Sequence, residues 1–248
     1  MKNCFSPEER KEKIEYLLSK DNYSFDDLVL IVTILRSEGG CPWDMEQTHK
    51  SLRRDFIEET YEVIEAIDTD NPALLREELG DVMLQVVFHA DIEREEGRFD
   101  ISGVASDICA KLIHRHPHVF GEVKVSDADE VLRNWDKIKG VEKQRVTHTD
   151  KLRSIPPMLP ALMRASKIAG KAFKDGYEFG SEEAIKQEMS LCLSAIGTEE
   201  EEQSLAKLSF LAAILSKKHG GDLEAALQKE TDAFINQYKS TKIMEEKK

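Results

Sequence analysis

Glu58-Glu59-Thr60-Tyr61-Glu62, a break at Asp70-Asn71-Pro72, and then Glu78-Leu79-Gly80-Asp81 fall within residues 58–81 of the chain. Apolar residues recur at helical period on both sides of the break, which predicts two antiparallel helices joined by a tight turn. On the first, Phe56, Ile57, Val63, Ile64 and Ile67 share a face and are expected to enter the core. At 100° per residue Glu59 lies at the edge of that face and Glu62 about 60° further round, whereas Glu58 and Glu65 point away. The second helix is apolar on most sides from Leu79 to Ile92. The polar residues Glu78, Asp81, Gln85 and His89 form one stripe along it, at i, i+3, i+7 and i+11.

Two helices that each present acids three residues apart bring Glu59, Glu62, Glu78 and Asp81 together. Four like charges so close raise one another's pKa and oppose folding unless cations neutralise them. Hard, oxygen-ligated cations such as Mg²⁺, or Mn²⁺ in its place, suit such a ligand set. Glu58, Glu62 and Glu65 by themselves read as an ordinary solvated helix face. Asp81 does not, because it interrupts a helix otherwise built for burial. The pattern as a whole is read as a metal site.

With these acids in place the chain resembles the MazG-type nucleoside triphosphate pyrophosphohydrolases. Glu-Glu-x-x-Glu followed after a short gap by Glu-x-x-Asp is the signature of that family. Gly40-Cys41-Pro42-Trp43-Asp44, Gln47-Thr48-His49, Glu96-Gly97-Arg98-Phe99-Asp100 and Arg115-His116-Pro117-His118-Val119-Phe120 match it too, so the likeness covers about residues 25 to 145. The resemblance implies an all-α fold of antiparallel helical bundles, Mg²⁺ dependence, a homodimer, and hydrolysis of a nucleoside triphosphate to monophosphate and diphosphate.

At 248 residues the chain is long for one small helical bundle, so two modules are expected. Its net charge of −13 argues against a nucleic-acid polymer or an anionic membrane as partner, since both are polyanions. A single nucleotide whose phosphates are met by metal stays compatible with that charge. Cys4, Cys41, Cys109 and Cys192 form no C-x-x-C pair and read as reduced thiols. The charged N-terminus and the short apolar run Leu28–Leu35 predict a soluble, cytoplasmic protein.

Ser6-Pro7-Glu8-Glu9 starts a helix running to about Lys20, part of an N-terminal extension over residues 1–22. Residues 23–146 form the expected catalytic domain. Ser24 and Asp27 open its first helix, which stops at Gly39-Gly40. Trp43 follows in a loop, where it either stacks on a base or plugs the end of the bundle. Gly97 ends the second acid helix, and Asp100 or Ser102 caps the next, up to about His114. On it Lys111 and Arg115 are i, i+4 neighbours able to reach one phosphate, the segment where the family's nucleotide-binding basic residues lie. His114, His116 and His118 match no common zinc spacing, and Pro117 breaks the segment. A helix started by Ser126 and Asp129 carries Trp135 and Lys139. Lys139 is assigned to phosphate; Trp135 reads as packing from its residue type and joins the substrate residues beside Lys139.

Residues 147–157 are the expected linker, and 158–248 a second module with helices near 181–197, 200–219 and 222–240. Its acids are mostly gone. Aligned on the first module, Ser204 stands at the Glu78 position, Lys207 at that of Asp81 and Leu191 at that of Glu62. The second module is therefore read as degenerate.

In the mechanism these residues imply, Glu59, Glu62, Glu78 and Asp81 hold one or more Mg²⁺ ions at the phosphates of a bound triphosphate. Glu58 is the spare acid, a general base or outer ligand, and Gln85 and His89 orient the ligands from behind. A di-iron carboxylate bundle wants Glu-x-x-His, which positions 62 and 81 do not provide. A non-catalytic helical regulator, binding a nucleotide or a partner protein, is the other alternative, and turnover separates it from an enzyme.

Overall fold

Short polar side chains set where the helices begin. Ser6 and Ser24 each close a capping box with the acid three residues on, Glu9 and Asp27, and so start α1 (Pro7–Leu18) and α2 (Phe25–Arg36). A computed structural model describes residues 5–142 and 147–245 of the chain. Among the described residues every regular element is a helix, as an all-α fold requires. Cys4 lies outside them; Cys41, Cys109 and Cys192 are free thiols. No helix among the described residues is long and apolar enough to cross a membrane.

The chain divides into two compact units, the first ending at Leu132 and the second beginning at Arg133. The first holds α1, α2, α3 (Pro42–Glu46), α4 (Arg53–Asp68), α5 (Pro72–Glu95), α6 (Ile101–Arg115) and α7 (Pro117–Phe120). The division falls within α8 (Ala128–Glu142). That helix is capped by Asp127, whose Oδ1 accepts from the Glu130 amide at 2.8 Å. Ser126, expected to start it, instead donates to the Glu130 carboxylate. In the second unit α9 (His148–Arg153), α10 (Ala161–Lys174), α11 (Glu182–Ser194), α12 (Glu201–Lys218) and α13 (Leu223–Glu245) follow. Residues 147–157 thus carry a helix of their own, started by a Thr147–Asp150 capping box.

The hairpin of α4 and α5 turns sharply. Asp70 adopts a left-handed backbone (φ 49°) just past α4, and the Asn71 amide donates back to Ala66 O at 3.0 Å. Asn71 then caps α5 by accepting from Leu74 N, and Pro72 fills the first helical position. The core of the first unit is Val32, Leu52, Val87, Phe88 and Ile92, with Leu28, Val29, Leu84 and Ile101 packed on it. α2, α5 and the start of α6 therefore share one centre. In the second unit Ala169, Ile185, Cys192, Leu211 and Ile214 form the equivalent centre across α10, α11 and α12.

The face expected to bury α4 is not the one that does. Ala66 is the fully buried residue of that helix, while Ile57, Ile64 and Ile67 are exposed and Phe56 and Val63 only half-buried. Ala66 lies about 120° round α4 from the centre of the expected face, and its small side chain takes the close approach to α5. Burying Ala66 swings Glu59 and Glu62 towards the partner helix. The same rule exposes Leu79 and Met83 on the outer side of α5.

Candidate metal centre and active site

One carboxylate oxygen each from Glu59, Glu78 and Asp81 lies within 4.8 Å of the others. Glu59 comes from α4, Glu78 and Asp81 from successive turns of α5, so the cluster exists only because the hairpin closes. Glu78 is buried and the other two are half-buried. Glu62 lies close enough to both Glu59 and Glu78 to raise their pKa values. Carboxyl groups so crowded hold a proton more tightly than free ones. Burial, the closeness of Glu62 and the charges of Asp81, Glu62 and Glu78 push Glu59 up to about 7. Burial, reinforced by Glu62, Glu77 and Asp81, also raises Glu78. Glu58 stands exposed on the neighbouring face of α4, outside the cluster.

An all-oxygen set of crowded, partly protonated acids fits a hard divalent cation and offers nothing to a soft one. Its titration gives a prediction without metal. Glu59 titrates near 7 in the folded chain against an ordinary 4.5, so its contribution to stability is full below 4.5 and is lost as pH rises through 7. In EDTA, Glu59→Gln should melt with the wild type near about pH 5 and above it near about pH 8. Parallel melting curves at both pH values would contradict the crowding.

Further along the stripe, the expectation that Gln85 and His89 act alike does not hold. His89 Nδ1 lies 2.7 Å from His49 Nδ1, and His49 Nε2 lies 2.5 Å from Glu93 Oε1. Arg98 grips the same Glu93 carboxylate through Nε and one terminal nitrogen, and with His49 holds its pKa well below the usual carboxylate range. That carboxylate accepts from His49 Nε2–H, which leaves Nδ1 of a neutral His49 to accept from His89 Nδ1–H. Burial above all pushes the His89 pKa down, which favours a neutral His89. His89 is thus committed to a chain that ties the start of α4 to α5. Gln85 is buried with Oε1 unmet by any donor.

A second buried array holds α3. Arg36, 2% exposed, donates to Asp44 O at 2.6 Å and Gln47 O at 3.3 Å, and pairs with Glu95 at 3.0 Å. Asp91 accepts from Thr33 at 2.9 Å and from Arg94 at 2.8 Å. Gly40 permits the fold-back: a Cβ there would lie 2.2 Å from Leu35 O. Trp43, in a short helix where a loop was expected, is 60% exposed. It stands open to solvent and does not plug the end of the bundle. None of Arg36, Asp91 and Glu95 stood out in the sequence, and His49 and Arg98 stood out only as letters of a motif. A buried arginine partnered by acids from another helix leaves no periodic trace; its one signal is charge at positions of otherwise apolar helices.

Lys111 is exposed on α6, and Arg115, one turn on, is half-buried. α6 packs against α5. Trp135 and Lys139, both half-buried, lie on α8 beyond Leu132 and so belong to the second unit. There, Lys207 Nζ on α12 meets Glu188 Oε1 on α11 at 2.5 Å. Lys207 is the residue aligned with Asp81, Glu188 stands three before Leu191 as Glu59 stands three before Glu62, and an ammonium takes up the charge of that remaining acid.

Known proteins resemble the chain across this region and over most of its length. Residues 47–120 match the family model of the MazG nucleotide pyrophosphohydrolase domain. The nucleoside triphosphate pyrophosphohydrolase/pyrophosphatase MazG of Thermotoga maritima is 40% identical over 227 residues, 90% of this chain and 87% of that protein. The nucleoside triphosphate pyrophosphohydrolase of Escherichia coli K12 is 37% identical over 224 residues, 86% and 85% of the two chains. The chain belongs to the MazG family.

Proposed function

We propose that the chain is a Mg²⁺-dependent nucleoside triphosphate pyrophosphohydrolase that converts a nucleoside triphosphate and water to the monophosphate and diphosphate. The observation that carries this reading is the set of three carboxylate oxygens within 4.8 Å at the hairpin of α4 and α5. The activity named for the relatives, matched across most of both chains, supports it. Glu59, Glu62, Glu78 and Asp81 would hold the cation, Mg²⁺ or Mn²⁺. When bound, it supplies charge for the phosphate oxygens and lowers the pKa of water. Glu58, open to solvent beside the cluster, takes the proton of the attacking water, or acts as an outer ligand. Lys111 and Arg115 neutralise phosphate oxygens, and Trp43 faces the base. Clearing unwanted triphosphates from the cytoplasmic nucleotide pool is the role this activity fits. Residues 23–146 are the catalytic domain in this reading, and the second module contributes no turnover.

Incubation with a panel of ordinary and damaged triphosphates, in ribose and deoxyribose forms, tests the proposal. Phosphate appearing only after inorganic pyrophosphatase is added, and only with Mg²⁺, is the expected result. Nucleotide binding without turnover would favour a regulator.

The exposed ridge of Ile57, Tyr61, Ile64 and Ile67 on α4 supports a homodimer. A row of large exposed apolar side chains along one helix is uncommon on a monomer. Sedimentation should give a dimer for the wild type and a monomer for Ile57→Glu/Ile64→Glu; an unchanged dimer in the variant would place the interface elsewhere.

A further inference from the structure

Resting on the reading of the acid cluster as a divalent-cation site, we propose that Gln85 is a positioning residue that holds, through Oε1, a water of that cation's hydration shell. The side chain is 8% exposed, and its oxygen is buried without a hydrogen-bond donor. At 100° per residue, Gln85 lies about 20° round α5 from Glu78 and about 40° from both Asp81 and His89. It therefore sits on the acid stripe, one turn beyond Asp81. The stripe below it is already satisfied, His89 by His49 and Glu93 by His49 and Arg98. Two other orphaned atoms of the first unit, Arg10 Nε and Asp91 Oδ2, belong to side chains anchored elsewhere, on Gly39 O and on Thr33 with Arg94. Gln85 is the unmet link.

The missing donor must be of a particular kind. Above Gln85 stand carboxylates, and once a cation takes the place of the proton they hold, they only accept. A second copy docking on Leu79 and Met83 approaches from about 120° to 160° round the helix and does not reach this side. A divalent cation held by those acids brings water with it, and water bound to such an ion donates strongly. A neutral amide oxygen accepts that hydrogen bond without adding a fifth negative charge to the cluster.

Gln85→Met keeps length and shape while removing the acceptor, so it tests the proposal with Mn²⁺ as probe and no nucleotide present. Calorimetric titration should show Mn²⁺ binding about 10–100-fold more weakly than to wild type. The metal-free variant in EDTA should melt at or above the wild-type temperature, because a buried acceptor without a donor opposes folding. A residue that merely packs would move stability and metal affinity in the same direction. Unchanged Mn²⁺ affinity overturns the proposal. So does a metal-free variant that melts lower or fails to fold, since that would mean the amide is already satisfied in the bare chain. A higher KM for triphosphate with unaltered Mn²⁺ binding overturns it too, by assigning the donor to the nucleotide. A wild-type chain that takes up no Mn²⁺ overturns the cation site itself, and Gln85 with it.

Discussion

Asp81→Asn should leave a folded protein with almost no triphosphate hydrolysis. The change keeps the size and hydrogen-bonding reach of the side chain and removes its charge, so the fold has no reason to fail. What it removes is one of three oxygens that lie within 4.8 Å on opposite helices. Loss of a direct ligand should exceed the roughly 10–100-fold that loss of an outer partner costs. Stability should move the other way. With one repelling charge gone, the remaining acids tolerate burial better, and the variant should melt above the wild type in EDTA. Saturating Mg²⁺ should not restore the rate. Near-normal turnover at high Mg²⁺ would remove Asp81 from the ligand set.

The second large effect separates the two halves of the chain. Glu59→Gln with Glu62→Gln strips the α4 side of the cluster and should abolish hydrolysis. Glu188→Gln with Lys207→Ala breaks the 2.5 Å ion pair between α11 and α12 and should leave specific activity within about twofold. That pair is exposed, and exposed ion pairs contribute only about 0–1 kcal/mol, so the second variant should also stay folded. Deleting the second half is a poorer test, because its removal can uncover apolar surface and lost activity would then report misfolding. Hydrolysis persisting in the first double variant, with contaminants excluded, would mean that the second half is active and that Lys207 does not stand where Asp81 does.

Much of this architecture could be read without coordinates, for local reasons. Ser6, Ser24, Gly97 and Asp100 mark helix ends because a cap is decided within four residues. Glu78 and Asp81 were legible because carboxylates on an apolar helix are costly, and two on one face of α5 call for a common cause. Which side of α4 turns inward was not legible. Ile57, Ile64 and Ile67 announce burial, and periodicity does not say whether the covering surface is this chain's core or another chain. The small residue Ala66, which lets α4 approach α5, carries no such signal. The clamps on α3 and on the start of α4 were hidden for a different reason. Arg36 meets Asp44, Asp91 and Glu95, and His49 meets His89 and Glu93, across separations that only the tertiary fold closes. The candidate site thus has two layers: acids that announce themselves by spacing, and a polar frame behind them that becomes visible once the helices are packed.

A cation between α4 and α5 is the centre of the proposed function. Anomalous diffraction from crystals of the wild-type chain grown with Mn²⁺ tests that directly, with no need of substrate. A peak within about 2.0–2.3 Å of carboxylate oxygens from Glu59, Glu78 and Asp81, absent from Asp81→Asn crystals, is the predicted result. Density for Mn²⁺ only at other residues, or none at the cluster at saturating Mn²⁺, would contradict it.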